Sequence, residues 1–267
     1  FRMCDTCYAE YTNTNDRRFH AQPVACNRCG PEYEYYQQGR ILKDLEKILS
    51  ETGKMLQNGR AVAVKGIGGF HLMCDATNER AVQHLRSLKQ RDHKPFAVMF
   101  PDLETLKAYL YVNEAEEEIL TSWRRPVVLL KARMNLARSV NSGLNTIGAM
   151  LPYMPFHCLL FEAVDLAALV MTSANTAGEP LIADNQTAFT RLRGSVAAFL
   201  FHNREIYNRI DDSVVRVIGD QQSLVRRARG YVPEPISMNV DVDGILATGA
   251  ELKNCFAVGK NTQAIMS

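Results

Sequence analysis

The sequence predicts an α/β protein built on a twisted mixed sheet, preceded by a small module folded around a metal. Three observations carry this. Short apolar runs alternate with helical patterns between residues 61 and 201. A strand pair around Gly219-Asp220 reads as a hairpin. Cys4, Cys7, Cys26 and Cys29 fall as C-x2-C, eighteen residues, C-x2-C. Alternation implies parallel connections and a hairpin an antiparallel one, so both kinds of pairing belong to one sheet. The 267 residues, 46% apolar and 22% charged, suffice for one large domain or two smaller ones.

The cysteine module comes first. Two thiolate pairs on tight knuckles can close a tetrahedron around one zinc, which supplies folding energy that so short a segment cannot draw from its few apolar residues. Four sulfur ligands leave no coordination position for water, so this zinc is expected to be structural. His20 is expected to stand near the cysteines without joining them. Cys74, Cys158 and Cys255 sit in apolar surroundings and are expected to be buried, reduced thiols.

A helical pattern then runs from Ile41 through Leu42, Leu45, Ile48 and Leu49 to Leu56, interrupted at Gly53 and ended by Gly59. A strand over 61–65 leads into the turn Gly66-Ile67-Gly68-Gly69. A helix starts at Thr77, whose hydroxyl can cap it, and passes through Leu85 and Leu88. Strands over 96–100, 127–131, 146–151, 168–172 and 197–201 alternate with helices over 103–109, 113–122, 155–163 and 185–192. The hairpin joins 213–218 to 223–227. Residues 231–242, with two prolines, read as a linker, and 244–248 with 255–258 as a strand pair opening a further unit that is cut at Ser267. The start at Phe1, directly before a metal knuckle, likewise reads as the boundary of a fragment.

A formal charge of +2 is far from the excess of a dedicated nucleic-acid binder, and no run of about 18 apolar residues occurs, so a cytoplasmic protein without a membrane span is expected. Local charge says more. Lys89, Arg91 and Lys94 gather where a helix ends, near a glycine turn whose missing Cβ atoms let a ligand approach the backbone. Such a rim suits a polyphosphate, although the turn matches neither G-x-G-x-x-G nor the P-loop pattern. A second class stays open: an RNA-binding module using the knuckle and basic groups such as Arg226-Arg227-Ala228-Arg229. Near-neutral charge favours the small-molecule site.

Four segments carry a resemblance: V-K-G-I-G-G-F-H-L-M-C-D-A (64–76), K-Q-R-D-H-K-P-F-A-V-M-F (89–100), S-A-N-T-A-G-E-P (173–180) and D-D-S-V-V-R (211–216). Together they resemble the YrdC-like domain of the HypF carbamoyltransferases, which mature [NiFe] hydrogenase. R-R-F-H-A-Q-P-V-A-C-N-R-C-G-P (17–31) looks like the second zinc finger of that family, and L-A-T-G-A-E-L-K-N (246–254) like the opening of its actin-like transferase domain. The resemblance implies a zinc-finger module over 1–36, a YrdC-like ATP-binding domain over 37–235, and over 236–267 a linker with the truncated start of the transferase domain. The family's acylphosphatase-like domain, its first finger and most of the transferase domain are missing, so complete turnover is not expected of this piece.

The implied chemistry is ATP-dependent formation of carbamoyl-adenylate and pyrophosphate from a carbamoyl group derived from carbamoyl phosphate. Passage to the cysteine of a partner, HypE, then leads to the cyanide ligand of the hydrogenase iron. No covalent catalytic residue is nominated, because the problem is charge and alignment. By resemblance Lys89 and Arg91 would hold the triphosphate, Ser173, Asn175 and Ser213 would add hydrogen bonds, and Arg229 or Arg227 would complete the phosphate cage. Lys65 and His71 would hold the carbamate, His71 having the alternative of a satisfied core histidine. Asp75, Asp211 and Asp212 are the carboxylates that could assist Mg²⁺. The related threonylcarbamoyl-adenylate synthases carry P-T-x-T-V-Y-G-L at the glycine turn. Here Gly66 and Gly68 stand at the threonines and Phe70 at the tyrosine, which favours a small carbamate; Met150 stands where those relatives have arginine.

Overall fold

The computed structural model describes residues 2–91, 93–176, 178–249 and 255–266. A helix, α1 (Asp5–Thr12), starts within the first cysteine knuckle, with Cys4 at its N-cap and Cys7 inside it. The chain then forms β1 (Tyr33–Gln37), β2 (Arg40–Leu42), α2 (Leu45–Gln57), β3 (Val62–Lys65), β4 (Phe70–Asp75) and α3 (Glu79–Lys89). It continues as β5 (Ala97–Met99), α4 (Leu103–Tyr109), β6 (Leu110–Tyr111), α5 (Glu114–Thr121), β7 (Val127–Ala132) and β8 (Thr146–Met150). α6 (Pro155–Ala163), β9 (Leu169–Ser173), α7 (Asn185–Leu192), β10 (Ala198–His202), β11 (Val214–Ile218) and β12 (Gln221–Arg226) complete the main body. Gly219 and Asp220, both at positive φ, form the hairpin turn whose twist suits its strands.

Among the described residues twelve strands form one sheet in the order β12-β11-β7-β8-β5-β9-β4-β3-β10-β1-β2, with β6 paired to β7. It is mixed, as expected: β10 and β3, β11 and β7, and β5 and β8 run parallel, while other pairs such as β4 with β9 are antiparallel. Two apolar clusters hold it. One gathers Phe70, Leu72, Leu85, Phe96 and Phe100, the other Ile48, Leu56, Met73, Met99 and Phe156. Leu72 and Met73 are consecutive and enter different clusters, so the sheet is covered on both faces and its central strands read as unbroken apolar runs.

Several elements differ from the sequence reading. Ile41 and Leu42 belong to β2, and α2 begins only at Leu45, where the Asp44 side chain accepts from the Lys47 amide (2.9 Å). Gly53 does not interrupt α2. A Cβ there would lie 2.2 Å from Val164 Cγ2, so the glycine is what lets the helix approach the end of α6. The cap of α3 is Asn78, because Asp75 takes the Thr77 hydroxyl (2.7 Å). β4 was hidden behind the glycine turn. Of the three thiols expected to be buried only Cys74 is; Cys158 on α6 and Cys255, just before a thin second sheet, are both exposed. That sheet joins β13 (Ile236–Ser237), β14 (Leu246–Thr248), β15 (Phe256–Lys260) and β16 (Gln263–Met266) in the order β13-β16-β15-β14, so part of the expected linker is strand. Residues 250–254 of the tail motif lie outside the described residues, as do Asp92 and Ala177 within the two inner motifs.

Candidate functional site

Antiparallel pairing of β4 with β9 sets His71 opposite Ser173 and Leu72 opposite Thr172. The last turn of α3 reaches the same place: Lys89 Nζ donates to the carbonyl oxygens of Ser173 (2.6 Å) and Asn175. A cleft of about 660 Å³ opens here. His71, Lys89, Arg91, Lys94, Ser173 and Asn175 line it, with Asp211, Asp212 and Arg226 also in its wall and Phe96, Leu129 and Met171 supplying apolar surface. The sequence-predicted rim and the S-A-N turn therefore come together.

The cations are held by backbone oxygens. Arg91 donates to the carbonyls of Lys94 (3.0 Å) and Pro95 (2.6 Å) and to the Thr172 hydroxyl (3.1 Å), and its guanidinium lies 4.9 Å from the Phe96 ring centre. Arg86, over the same ring at 4.7 Å, donates to the carbonyls of Arg91 (2.7 Å) and Lys94 (3.2 Å). Burial, then the positive charges of Arg86 and Arg226, lower Arg91 to about 10, still protonated at neutral pH. Like charges gathered on neutral oxygens favour an incoming anion. The Asn175 side chain donates to the Glu179 carbonyl (2.5 Å), while its buried Oδ1 has no hydrogen-bond partner among the described residues.

Three residues named by resemblance lie behind this wall. Lys65 is buried and its Nζ donates to the His202 carbonyl (3.2 Å); burial lowers its pKa. Ser213 is fully buried, donating to the Arg229 carbonyl (2.9 Å) and accepting from the Ala228 amide (2.8 Å), which pins the 228–229 turn. Arg229 donates twice to Asp212 Oδ1 (3.1 and 3.0 Å) and to the carbonyls of Arg124 (3.0 Å) and Arg125 (2.9 Å), with Tyr153 4.0 Å beneath it. Within the basic group 226–229 the arginine in the cleft wall is Arg226, whereas the resemblance pointed to Arg229 or Arg227 for the phosphate cage. Arg227 instead donates to the Glu234 carbonyl. Asp75 serves the Thr77 amide and hydroxyl and is not among the cleft residues.

Asp212 joins the two groups, its Oδ2 standing 3.5 Å from His71 Nε2. Burial alone would raise its pKa, but the hydrogen bond and charge of His71 and the charge of Arg229 outweigh burial and hold it well below the usual carboxylate range. The glycine turn is fitted tightly to this corner. A Cβ at Gly66 would lie 2.8 Å from His71 Nδ1, and one at Gly68 2.1 Å from the Ile210 carbonyl oxygen.

The four cysteines converge as expected. Sγ separations of 3.7 Å (Cys4 to Cys26), 3.8 Å (Cys26 to Cys29) and 3.6 Å (Cys7 to Cys29) match the edge of about 3.8 Å that a tetrahedral Zn–S bond of about 2.3 Å requires. Burial and neighbouring thiols push Cys7 up to about 12 while backbone amides draw Cys29 down to about 6. Four thiols this close cannot all ionise without a cation among them. His20 stacks on Phe19 (4.2 Å) and Tyr11 (4.9 Å) and stands outside the cluster. The knuckle is bound to the main body: Arg204 donates to the Cys29 carbonyl (2.6 Å), and Asn203 accepts from the Glu32 amide (3.1 Å) and donates to the Gly30 carbonyl (3.4 Å).

A twisted mixed sheet, a cation-rimmed cleft and an attached four-thiol knuckle define an α/β domain joined to a zinc finger. The Sua5/YciO/YrdC family model, described as telomere recombination, matches residues 54–228, and the HypF finger model matches residues 3–36. The carbamoyltransferase HypF of Rhizobium leguminosarum bv. viciae is 44% identical over 309 residues, covering 99% of this chain and 41% of its own length. A crystal structure of full-length HypF in the phosphate- and nucleotide-bound form is 45% identical with a TM-score of 0.88, covering 100% of this chain and 35% of that one. A threonylcarbamoyl-AMP synthase of Pseudoalteromonas atlantica is 33% identical over 141 residues, 49% of this chain and 74% of its own. The chain belongs to the Sua5/YciO/YrdC family, and over nearly its whole length it is homologous to the HypF carbamoyltransferases. It spans about two fifths of the length of such curated relatives.

Proposed function

We propose that the cleft binds Mg-ATP and a carbamate and joins them as carbamoyl-adenylate. The observation that carries this reading is the convergence of Arg91, Arg226 and Lys94 in one cleft with His71 and Asn175, whose Oδ1 has no partner among the described residues. In this reading the carbamate oxygen attacks the α-phosphorus, the bond from that phosphorus to the bridging oxygen of the β-phosphate breaks, and pyrophosphate leaves with its Mg²⁺. No net proton moves. Arg91 and Arg226 neutralise phosphate oxygens, Lys89 fixes the S-A-N turn against which the nucleotide rests, and Asn175 and Ser173 supply neutral hydrogen bonds. Mg²⁺, when bound, would supply charge neutralisation on the leaving group, and Asp211 in the cleft lining is a carboxylate that would help hold it. Lys65 and Ser213 act from behind the wall, holding His202 and the 228–229 turn.

The reading extends to a place in hydrogenase maturation, with the carbamoyl group arriving from carbamoyl phosphate and leaving toward HypE through parts of the longer protein. The threonine-dependent alternative is disfavoured by 44% identity to a HypF over 99% of the chain, against 33% over 49% for the synthase. Incubation with Mg-ATP and carbamate, followed by mass spectrometry, tests it. Carbamoyl-adenylate without threonine is expected, and a product requiring threonine would reverse the assignment.

A further inference from the structure

The geometry points to Asp212 as the residue that selects an amino-bearing acid in this cleft, by accepting a hydrogen bond from the N–H of the carbamate. This rests on the carbamate reading above and adds which atom makes the choice. The two oxygens of Asp212 are used unequally. Oδ1 takes both bonds from Arg229, Nε at 3.1 Å and Nη2 at 3.0 Å. Among the described residues Oδ2 has one contact, the long 3.5 Å hydrogen bond from His71 Nε2, and both His71 and Asp212 line the cleft. An oxygen so placed has acceptor capacity to spare.

Charge makes the arrangement workable. A bare carboxylate would repel a carbamate and a triphosphate alike, but Arg229 cancels its charge from the rear, anchored by the carbonyls of Arg124 and Arg125 and by the face of Tyr153. The surroundings keep Asp212 ionised, so it accepts and does not donate. Arg229 is thereby a positioning residue: it acts on the ligand through Asp212. Acetate has nearly the shape of carbamate with a methyl group where the amino group stands, so it offers no N–H and would leave Oδ2 facing an apolar carbon.

The test gives the full chain Mg-ATP with equimolar fresh carbamate and acetate and measures both adenylates by mass spectrometry. The wild type should prefer carbamate by about ten- to hundredfold, the scale of one hydrogen bond to a charged group. In Asp212→Asn the amide oxygen stays with Arg229 and the NH₂ turns toward the ligand, so a donor replaces the acceptor and the preference should fall at least about tenfold. The ratio of products does not change if the residue only supports the fold, and thermal unfolding of the variant checks that it is folded. An unchanged ratio in a folded variant overturns the inference. If the variant does not fold, the wild type decides alone: equal use of acetate overturns the inference while leaving the adenylation reading in place. ATP binding without an adenylate from either acid overturns that reading, and the selection with it.

Discussion

Arg91 shows how a residue can be legible in sequence and still need a structure to be understood. Its place at the rim followed from K-x-R after a helix, but its retention by the Lys94 and Pro95 carbonyls, which leaves its charge uncancelled, did not. Arg91→Ala should weaken ATP binding by about 1–3 kcal/mol, measured by titration calorimetry, and should also cost stability through its lost bonds to the Lys94 and Pro95 carbonyls and the Thr172 hydroxyl. Lys89→Ala should likewise harm the fold, since its ammonium ties two carbonyls of the S-A-N turn. Arg226 could not be singled out from its basic group because the hairpin register shifts between Val214 and Val215, and such a bulge re-phases the alternation from which facing would be read. His157 makes a different prediction. Burial, with His71 adding to it, lowers its pKa to about 3, and its Nδ1 is buried without a partner. The unfolded chain therefore takes up a proton below about pH 6.5 that the folded chain refuses. Stability should be full above that pH and fall by about 1.4 kcal/mol per unit as pH drops toward 3. His157→Gln should flatten that slope in denaturant melts. Asp212, depressed instead, adds its own loss only below the ordinary carboxylate range.

At the level of elements, helices were found by periodicity, and the structure adds caps that the reading did not use. α5 runs from Glu114 to Thr121 behind a capping box of Asn113 and Glu116, and α4 and α7 have Asp102 and Asp184 as caps. Glycines misled in both directions. Gly53 looked like a break and is a packing contact, whereas the glycine turn, read as a place for a ligand to approach the backbone, is also the link between two central strands. Its three glycines are required for space, a Cβ at Gly66, Gly68 or Gly69 lying 2.8, 2.1 or 2.9 Å from a neighbouring atom. Gly68→Ala would drive a methyl group into the Ile210 carbonyl, so a loss of about 1–3 kcal/mol is expected in chemical denaturation, with weaker carbamate-dependent turnover because 203–212 must move. An unchanged midpoint would show that the loop yields at no cost.

Over the whole molecule, the fold class was legible because strands and helices alternate, and the knuckle because metal geometry dictates ligand spacing. The sheet order was not, because which strands become neighbours depends on long-range pairings such as β1 with β10. Removing zinc, by chelation or by replacing Cys4 and Cys26, should release one metal per chain and loosen the finger, while the two apolar clusters keep the main sheet folded; circular dichroism and metal analysis would check both. One contact makes this more than local. Arg204 grips the Cys29 carbonyl at the start of the segment whose far end carries Asp212. Metal content is therefore a hidden variable in any assay of the cleft. Two preparations of identical sequence and different zinc loading should differ in deuterium uptake across 203–212 and in apparent ligand affinity, so scatter between batches would follow the metal assay.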